Sequence, residues 1–179
     1  MTKQLTILTI ILTYVLSSYG QTKPVNQNLN KVTNAIRVDS TVIAILPYDS
    51  TQHWMFKNCK PANLTNADLL EIEKHLNNCI VEYNPEQARK YKEIKAKYPN
   101  DKIDKKHFVI DLTGYKRQYV AVTNEKGEKE VWVNCFCNTW DENWKKGLIF
   151  VKDGGNCYFN LKINLAVGKY YELLVNGDA

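Results

Sequence analysis

Beyond residue 16 the sequence holds no long apolar run, so no later segment can cross a bilayer as a helix, which takes about 20 apolar residues. Glycine-rich phosphate loops, the Gly-x-Ser-x-Gly elbow, kinase signatures and His-Glu-x-x-His are all missing. These absences remove the enzyme classes that announce themselves by motif, and no cofactor is expected. A secreted or periplasmic hydrolase whose groups are scattered along the chain stays open as the alternative, because a site need not leave a local signature. No block of one charge occurs: lysine and glutamate are interspersed, and a net charge of +5 is too mild for a nucleic-acid surface. Self-similarity at a period of about 20–50 residues is absent too, which excludes a solenoid.

What is present starts with an address. Lys3 is followed by a run from Leu5 to Leu16 that is apolar apart from threonines and Tyr14, then by Ser18, Tyr19 and Gly20. A basic start, a short apolar stretch and small residues before the cut describe a secretory signal peptide over residues 1–20. The protein is therefore expected in the periplasm or outside the cell. No cysteine ends the leader, so no lipid anchor is expected. Lys3 is the leader's only charge, and the remaining 159 residues carry a net +4. That length suits one domain with a real hydrophobic core.

Residues 21–37 are polar and asparagine-rich and read as a flexible lead-in to a single α+β domain over 38–179. Val38 to Leu46 reads as a first strand ended by Pro47, and His53 to Asn58 as a second. The period then changes. Thr65 with Asp68 three residues on makes a helix N-cap. Leu69, Ile72, Leu76, Cys79 and Tyr83 form one apolar stripe. Asn84 and Pro85 read as the cap and first residue of a second helix carrying Tyr91, Ile94 and Tyr98, closed by Pro99. From His107 the period is two. Phe108, Ile110 and Leu112 alternate, and Gln118–Thr123 meets a turn at Asn124–Gly127. Val131, Val133, Cys135 and Cys137 share one face of the next strand. Phe159, Leu161, Ile163 and Leu165 share the face of Cys157, while Tyr158, Asn160, Lys162 and Asn164 take the other. Gly168 turns the chain into a last strand with Tyr171, Leu173 and Val175. The expected fold is an antiparallel meandering sheet with two helices packed on one face.

Five cysteines, Cys59, Cys79, Cys135, Cys137 and Cys157, lie outside the leader, and export makes disulfides the default. Cys135 and Cys137 stand about 6.6 Å apart on one strand face with parallel side chains, poor geometry for bonding each other. Either reaches Cys157 across the sheet. Cys59 with Cys79 is the complementary pairing, and it demands a nearly straight return. The helix from Thr65 to Cys79 rises about 21 Å against a loop of about 20 Å at most. An odd count leaves at least one thiol over or pairing between chains. Zinc is disfavoured, because one residue between two strand cysteines is poor ligand spacing, and no metal is assigned.

Trp140, Asp141, Glu142 and Trp144 make a loop rich in aromatics and acids. As a platform its indoles would stack on sugar faces while Asp141 accepts hydroxyl hydrogen bonds; the plainer reading is that the tryptophans cap the sheet core. Asp153 and Asn156 flank a glycine pair that would cradle a ligand or simply turn the chain. Lys105, Lys106, Lys116 and Arg117 read as a solvated basic face. The expected contact surface is the polar sheet face with Trp140, Asp141, Trp144, Asp153 and Asn156.

The segments Val131–Cys137, Asp153–Asn160 and Val175–Ala179, with the leader ending in Tyr19 and Gly20 before Gln21, resemble small exported proteins of Bacteroidota that have no assigned function. The resemblance covers the last third of the chain and implies no chemistry. It does imply that the two Asp-Ser-Thr triplets, with Ser40, Thr41, Ser50 and Thr51, are candidate O-glycosylation sites. Together these readings point to an exported, non-enzymatic binding or accessory domain whose ligand is a protein, peptide or glycan.

Overall fold

Four segments of period two after residue 115 form a meander: β3 (Lys116–Thr123), β4 (Lys129–Phe136), β5 (Tyr158–Asn164) and β6 (Lys169–Val175), each antiparallel to the next. This computed structural model describes residues 39–177 apart from Gln52 and Trp140, so the expected leader (1–20) and lead-in (21–37) lie outside the described residues. The β3–β4 turn closes as its sequence demands. Gly127 takes φ +79°, and the Asn124 carboxamide oxygen accepts from the amides of Lys126 and Glu128.

The sheet is mixed rather than antiparallel throughout. β1 (Ile43–Leu46) runs parallel to β3, with Ile43 opposite Arg117, and β2 (Lys60–Pro61) covers the other end of the same β3 edge in antiparallel fashion. A parallel neighbour needs a long crossover, and the helix between β1 and β3 supplies it. The segment expected as a second strand, His53–Asn58, is a series of turns. The expected strand over Phe108–Leu112 is also irregular. Its backbone groups are taken by side chains: Asn84 exchanges two hydrogen bonds with Ile110, and Asn156 donates to the carbonyls of Lys106 and Val109.

One helix replaces the expected two. α1 (Asn66–Lys97) opens on a complete capping box: Thr65 Oγ1 accepts from the Asp68 amide at 3.2 Å, and Asp68 Oδ2 from the Thr65 amide at 2.8 Å. Pro85 lies inside it without ending it. Its missing N–H would have met the carbonyl of Val81, a residue on the solvent side where water can serve instead. Asn84 does not cap a new helix, because its side chain is committed to Ile110.

Ile72, Leu76, Cys79 and Ile80 of α1 pack on Tyr119, Val131, Val133, Cys135, Phe159, Leu161 and Ile163. A charged pair is buried beneath the helix. Arg117, only 8% exposed rather than solvated, holds Nε at 3.6 Å from Glu73, and the Tyr119 hydroxyl donates to the same carboxylate. The opposite sheet face is covered by the loops after β1 and after β4, with Met55, Phe56 and Trp144 over Val120, Val122, Trp132 and Phe136.

Cys137 and Cys157 form a disulfide, one of the two expected links to Cys157, but not on the inward strand face: Cys137 follows β4, and Cys157 ends a 3-10 turn before β5 and packs on the loop side. Cys137 also donates its amide to the Cys157 carbonyl, so the bridge joins the end of β4 to the entry of β5. Cys59 and Cys79 are not bonded. The sheet itself separates them, with Cys59 under the loops and Cys79 under the helix. Three thiols are therefore left, Cys59, Cys79 and Cys135. Burial, and next Glu82, push the Cys79 thiol up to about 11, and burial pushes Cys135 further. Alkylation with mass mapping is expected to find one disulfide, Cys137–Cys157, with Cys79 and Cys135 labelled only after unfolding. Replacing both bridged cysteines by serine should cost about 3 kcal/mol for a loop of this length. A Cys59–Cys79 bridge in the map would contradict this fold.

Candidate binding site

The loop face of the sheet carries polar side chains that cannot remain unpaired. Gln118 on β3 and Asn134 on β4 are both buried, and Asn134 donates to Gln118 Oε1 at 3.1 Å. The remaining hydrogen bonds of the pair go to the loop that follows β4. Gln118 Nε2 donates to the carbonyls of Trp144 and Gly147, the Ile149 amide donates to Gln118 Oε1, and Asn134 donates to the Ile149 carbonyl. Leaving any of these groups unpaired would cost about 1–3 kcal/mol, so residues 144–149 lie flat on the sheet.

That anchoring decides which aromatics are buried and which are presented. Trp144 is 6% exposed, edge-on to Phe136 at 5.8 Å, with the ammonium groups of Lys116 and Lys145 over its ring. It roofs the core, and its face is not free to stack on a ligand. Phe150, at the end of the pinned stretch, is 66% exposed. It meets Trp54, which is 55% exposed, at 5.8 Å, and Trp54 meets the buried Trp132 edge-on at 5.4 Å. Trp132 is fixed from below by its indole N–H donating to Asn160. Three cavities of about 340, 370 and 390 Å³ each have Trp54 in their walls.

The first of these cavities is polar. Glu130 on β4 accepts from Asn124, Asn164 and the Tyr171 hydroxyl. Burial, and then this carboxylate, raise the Tyr171 phenol far above its ordinary value. Lys162 on β5 lies 5.2 Å from the Phe56 ring centre and 5.9 Å from that of Tyr171, and its ammonium pairs with Glu172 at 2.7 Å. Glu172 has φ +52°, at an irregularity where β5–β6 pairing passes from Lys162–Tyr171 to Asn160–Leu174. Cys59 and His53 also line this cavity. The Cys59 thiol donates to the Lys57 carbonyl, and burial, with Glu130 and Glu125, raises its pKa. An activated nucleophile needs the opposite shift.

The residues singled out in the sequence are therefore dispersed. Trp140 lies outside the described residues. Asp141 accepts the Asn143 amide in a turn and lines a separate cavity of about 460 Å³ that includes Phe150. Asp153 is exposed, its carbonyl taken by Asn176. Asn156 is buried, with both amide hydrogens committed to the loop near Lys106. Between them, Gly154 at φ +87° leaves room for Tyr158, whose ring a Cβ would meet at 2.7 Å. The turn is thus a brace for the fold. Asp39 and Asp49 each accept the amide of the threonine two residues on, so both Asp-Ser-Thr triplets are exposed turns. Trp54, Phe150, Glu130 and Glu172 escaped the sequence reading because four separate segments assemble them. The one signal was the polar face of β5, where Asn160, Lys162 and Asn164 face the site.

Among the described residues no group of three or more His, Cys, Asp or Glu side chains is placed to hold a metal ion, and no helix is long and apolar enough to cross a membrane. Compared with known proteins, the chain matches no family model, no curated protein and no solved structure. The anchoring of the loop is directly testable. Gln118→Leu should cost about 1–3 kcal/mol and speed hydrogen exchange at the Ile149 amide, while the amides of β4 stay protected. Unchanged exchange at Ile149 would show that Gln118 does not hold the loop.

Proposed function

We propose that this chain is an exported, non-enzymatic binding domain whose contact face is the loop-covered side of the sheet around Trp54. The observation that carries the reading is a half-exposed indole shared by three adjoining cavities. Exposed aromatics beside a few placed polar groups are the ordinary composition of a ligand site. Export rests on the leader pattern of residues 1–20, and the polymers of a cell envelope or its surroundings are the ligands such a domain would meet.

The hydrolase alternative finds less support in the same cavity. Glu130 has its oxygens engaged by Asn124, Asn164 and Tyr171, and Glu172 is paired with Lys162. Cys59 has a raised pKa rather than a lowered one.

Co-sedimentation with insoluble envelope polymer from the producing cell tests the proposal. The native protein should pellet with the polymer without releasing soluble fragments. Trp54→Ala should weaken the association about tenfold or more, as loss of a central aromatic anchor does, and Trp144→Phe should leave it unchanged. Full retention by Trp54→Ala would refute the assignment of this face.

A further inference from the structure

The polar floor beside Trp54 says what chemistry it would hold. We infer that the Lys162–Glu172 cavity takes a neutral sugar ring, gripped through two adjacent hydroxyls, with its C–H face against Trp54; this rests on the binding role proposed for the face. Lys162 Nζ and Glu172 Oε2 stand 2.7 Å apart. Vicinal hydroxyl oxygens on a pyranose ring are separated by about the same single hydrogen-bond length. Each hydroxyl both donates and accepts, so one accepts from the ammonium while its neighbour donates to the carboxylate. Among the described residues Glu172 is the one anion paired with Lys162, so the ammonium is not saturated by acceptors and can still donate to a ligand hydroxyl.

The pair is held in place before any ligand arrives. Lys162 is clamped between the rings of Phe56 and Tyr171. Glu172 reaches the loop face only because β6 is irregular there. Tyr171 already faces Lys162, and regular alternation would turn the next residue toward the helix. The extra residue with its left-handed backbone brings Glu172 to the same side, at a cost of about 1–3 kcal/mol for a non-glycine residue. Backbone strain of this kind concentrates at ligand sites.

Charge and edge geometry favour a neutral ligand over an ion or an added peptide strand. Lys162 and Glu172 cancel each other, and Glu130 beside them is satisfied by three neutral donors. Across the whole cavity the charges balance, Lys57, Lys126 and Lys162 against Glu125, Glu130 and Glu172, so neither sign of ligand is favoured over a neutral one. A peptide adding to the sheet would need a continuous free edge, and the β6 irregularity breaks the one on this side. A cavity of about 340 Å³ accommodates one ring, and the two that continue past Trp54 toward Phe150 accommodate its neighbours in a chain.

The test titrates the purified protein with cellohexaose, maltohexaose and β-1,4-mannohexaose, whose internal rings keep the 2,3-diol. Laminarihexaose, whose internal rings have no adjacent free hydroxyls, and periodate-oxidised cellohexaose serve as controls. The Trp54 indole N–H resonance reports binding. At least one of the 1,4-linked sugars should shift it, oxidised cellohexaose should fail, and laminarihexaose, left with adjacent free hydroxyls only on its terminal rings, should bind more weakly. Glu172→Gln, at an exposed position, and Lys162→Met, which keeps the packing between the rings, should each weaken binding about tenfold, as loss of a charge-assisted hydrogen bond implies. Equal binding of laminarihexaose, or native affinity in both variants, would overturn the diol assignment. If no hexaose binds while envelope polymer still sediments in a Trp54-dependent way, the sugar inference falls and the binding face stands. If Trp54 matters to neither, both fall.

Discussion

Two neighbouring amides in the middle of one sheet face, Gln118 and Asn134, constrain most of what lies above them. They are buried, so their hydrogen bonds must be met within the protein, and the carbonyls of Trp144, Gly147 and Ile149 meet them. A loop of some twenty residues that could have stood off the surface is thereby laid across the strands. Its ends are closed by the Cys137–Cys157 bridge. Within that frame Trp144 has to turn inward, and Phe150 has to face outward beside Trp54. The Phe150 side of the aromatic wall thus follows from satisfying two carboxamides.

The helix face works differently. Its contacts are apolar and close-packed, apart from Glu73, Arg117 and Tyr119. A buried ion pair contributes little net stability, because desolvation offsets attraction, yet removing one partner leaves a buried charge at a cost of about 3–5 kcal/mol. Such a pair fixes how the helix sits on the strands without adding much to the total. The side carrying α1 therefore holds the architecture, and the side carrying irregular chain presents the exposed aromatics and the polar cavity of the candidate site. This division follows a general rule that binding groups sit on loops positioned by a rigid scaffold.

Much of the scaffold was legible in the sequence. The capping box at Thr65 and Asp68, the turn at Asn124–Gly127, and the two faces of β5 follow from local patterns and are present as read. The errors share one cause, the engagement of local signals by distant partners. Asn84 and Pro85 spell a helix start, but Asn84 is held by Ile110, so the helix continues. Phe108–Leu112 alternates like a strand, but Asn84 and Asn156 take its backbone groups. Arg117 looked like a surface base because nothing nearby in sequence reveals Glu73. The candidate site was legible only in part: the polar row Asn160, Lys162 and Asn164 marked the sheet face that carries it. Trp54 and Phe150 come from segments without period, and no sequence distance links them.

The most direct measurement is hydroxyl-radical footprinting of the protein bound to native envelope polymer, read residue by residue against the free protein. Protection concentrated on Trp54, Phe150 and Leu174, with Tyr91, Ile94 and Phe108 on the helix side unchanged, is the outcome this account predicts. Protection of the helix side with Trp54 and Phe150 as reactive as in the free protein would contradict it.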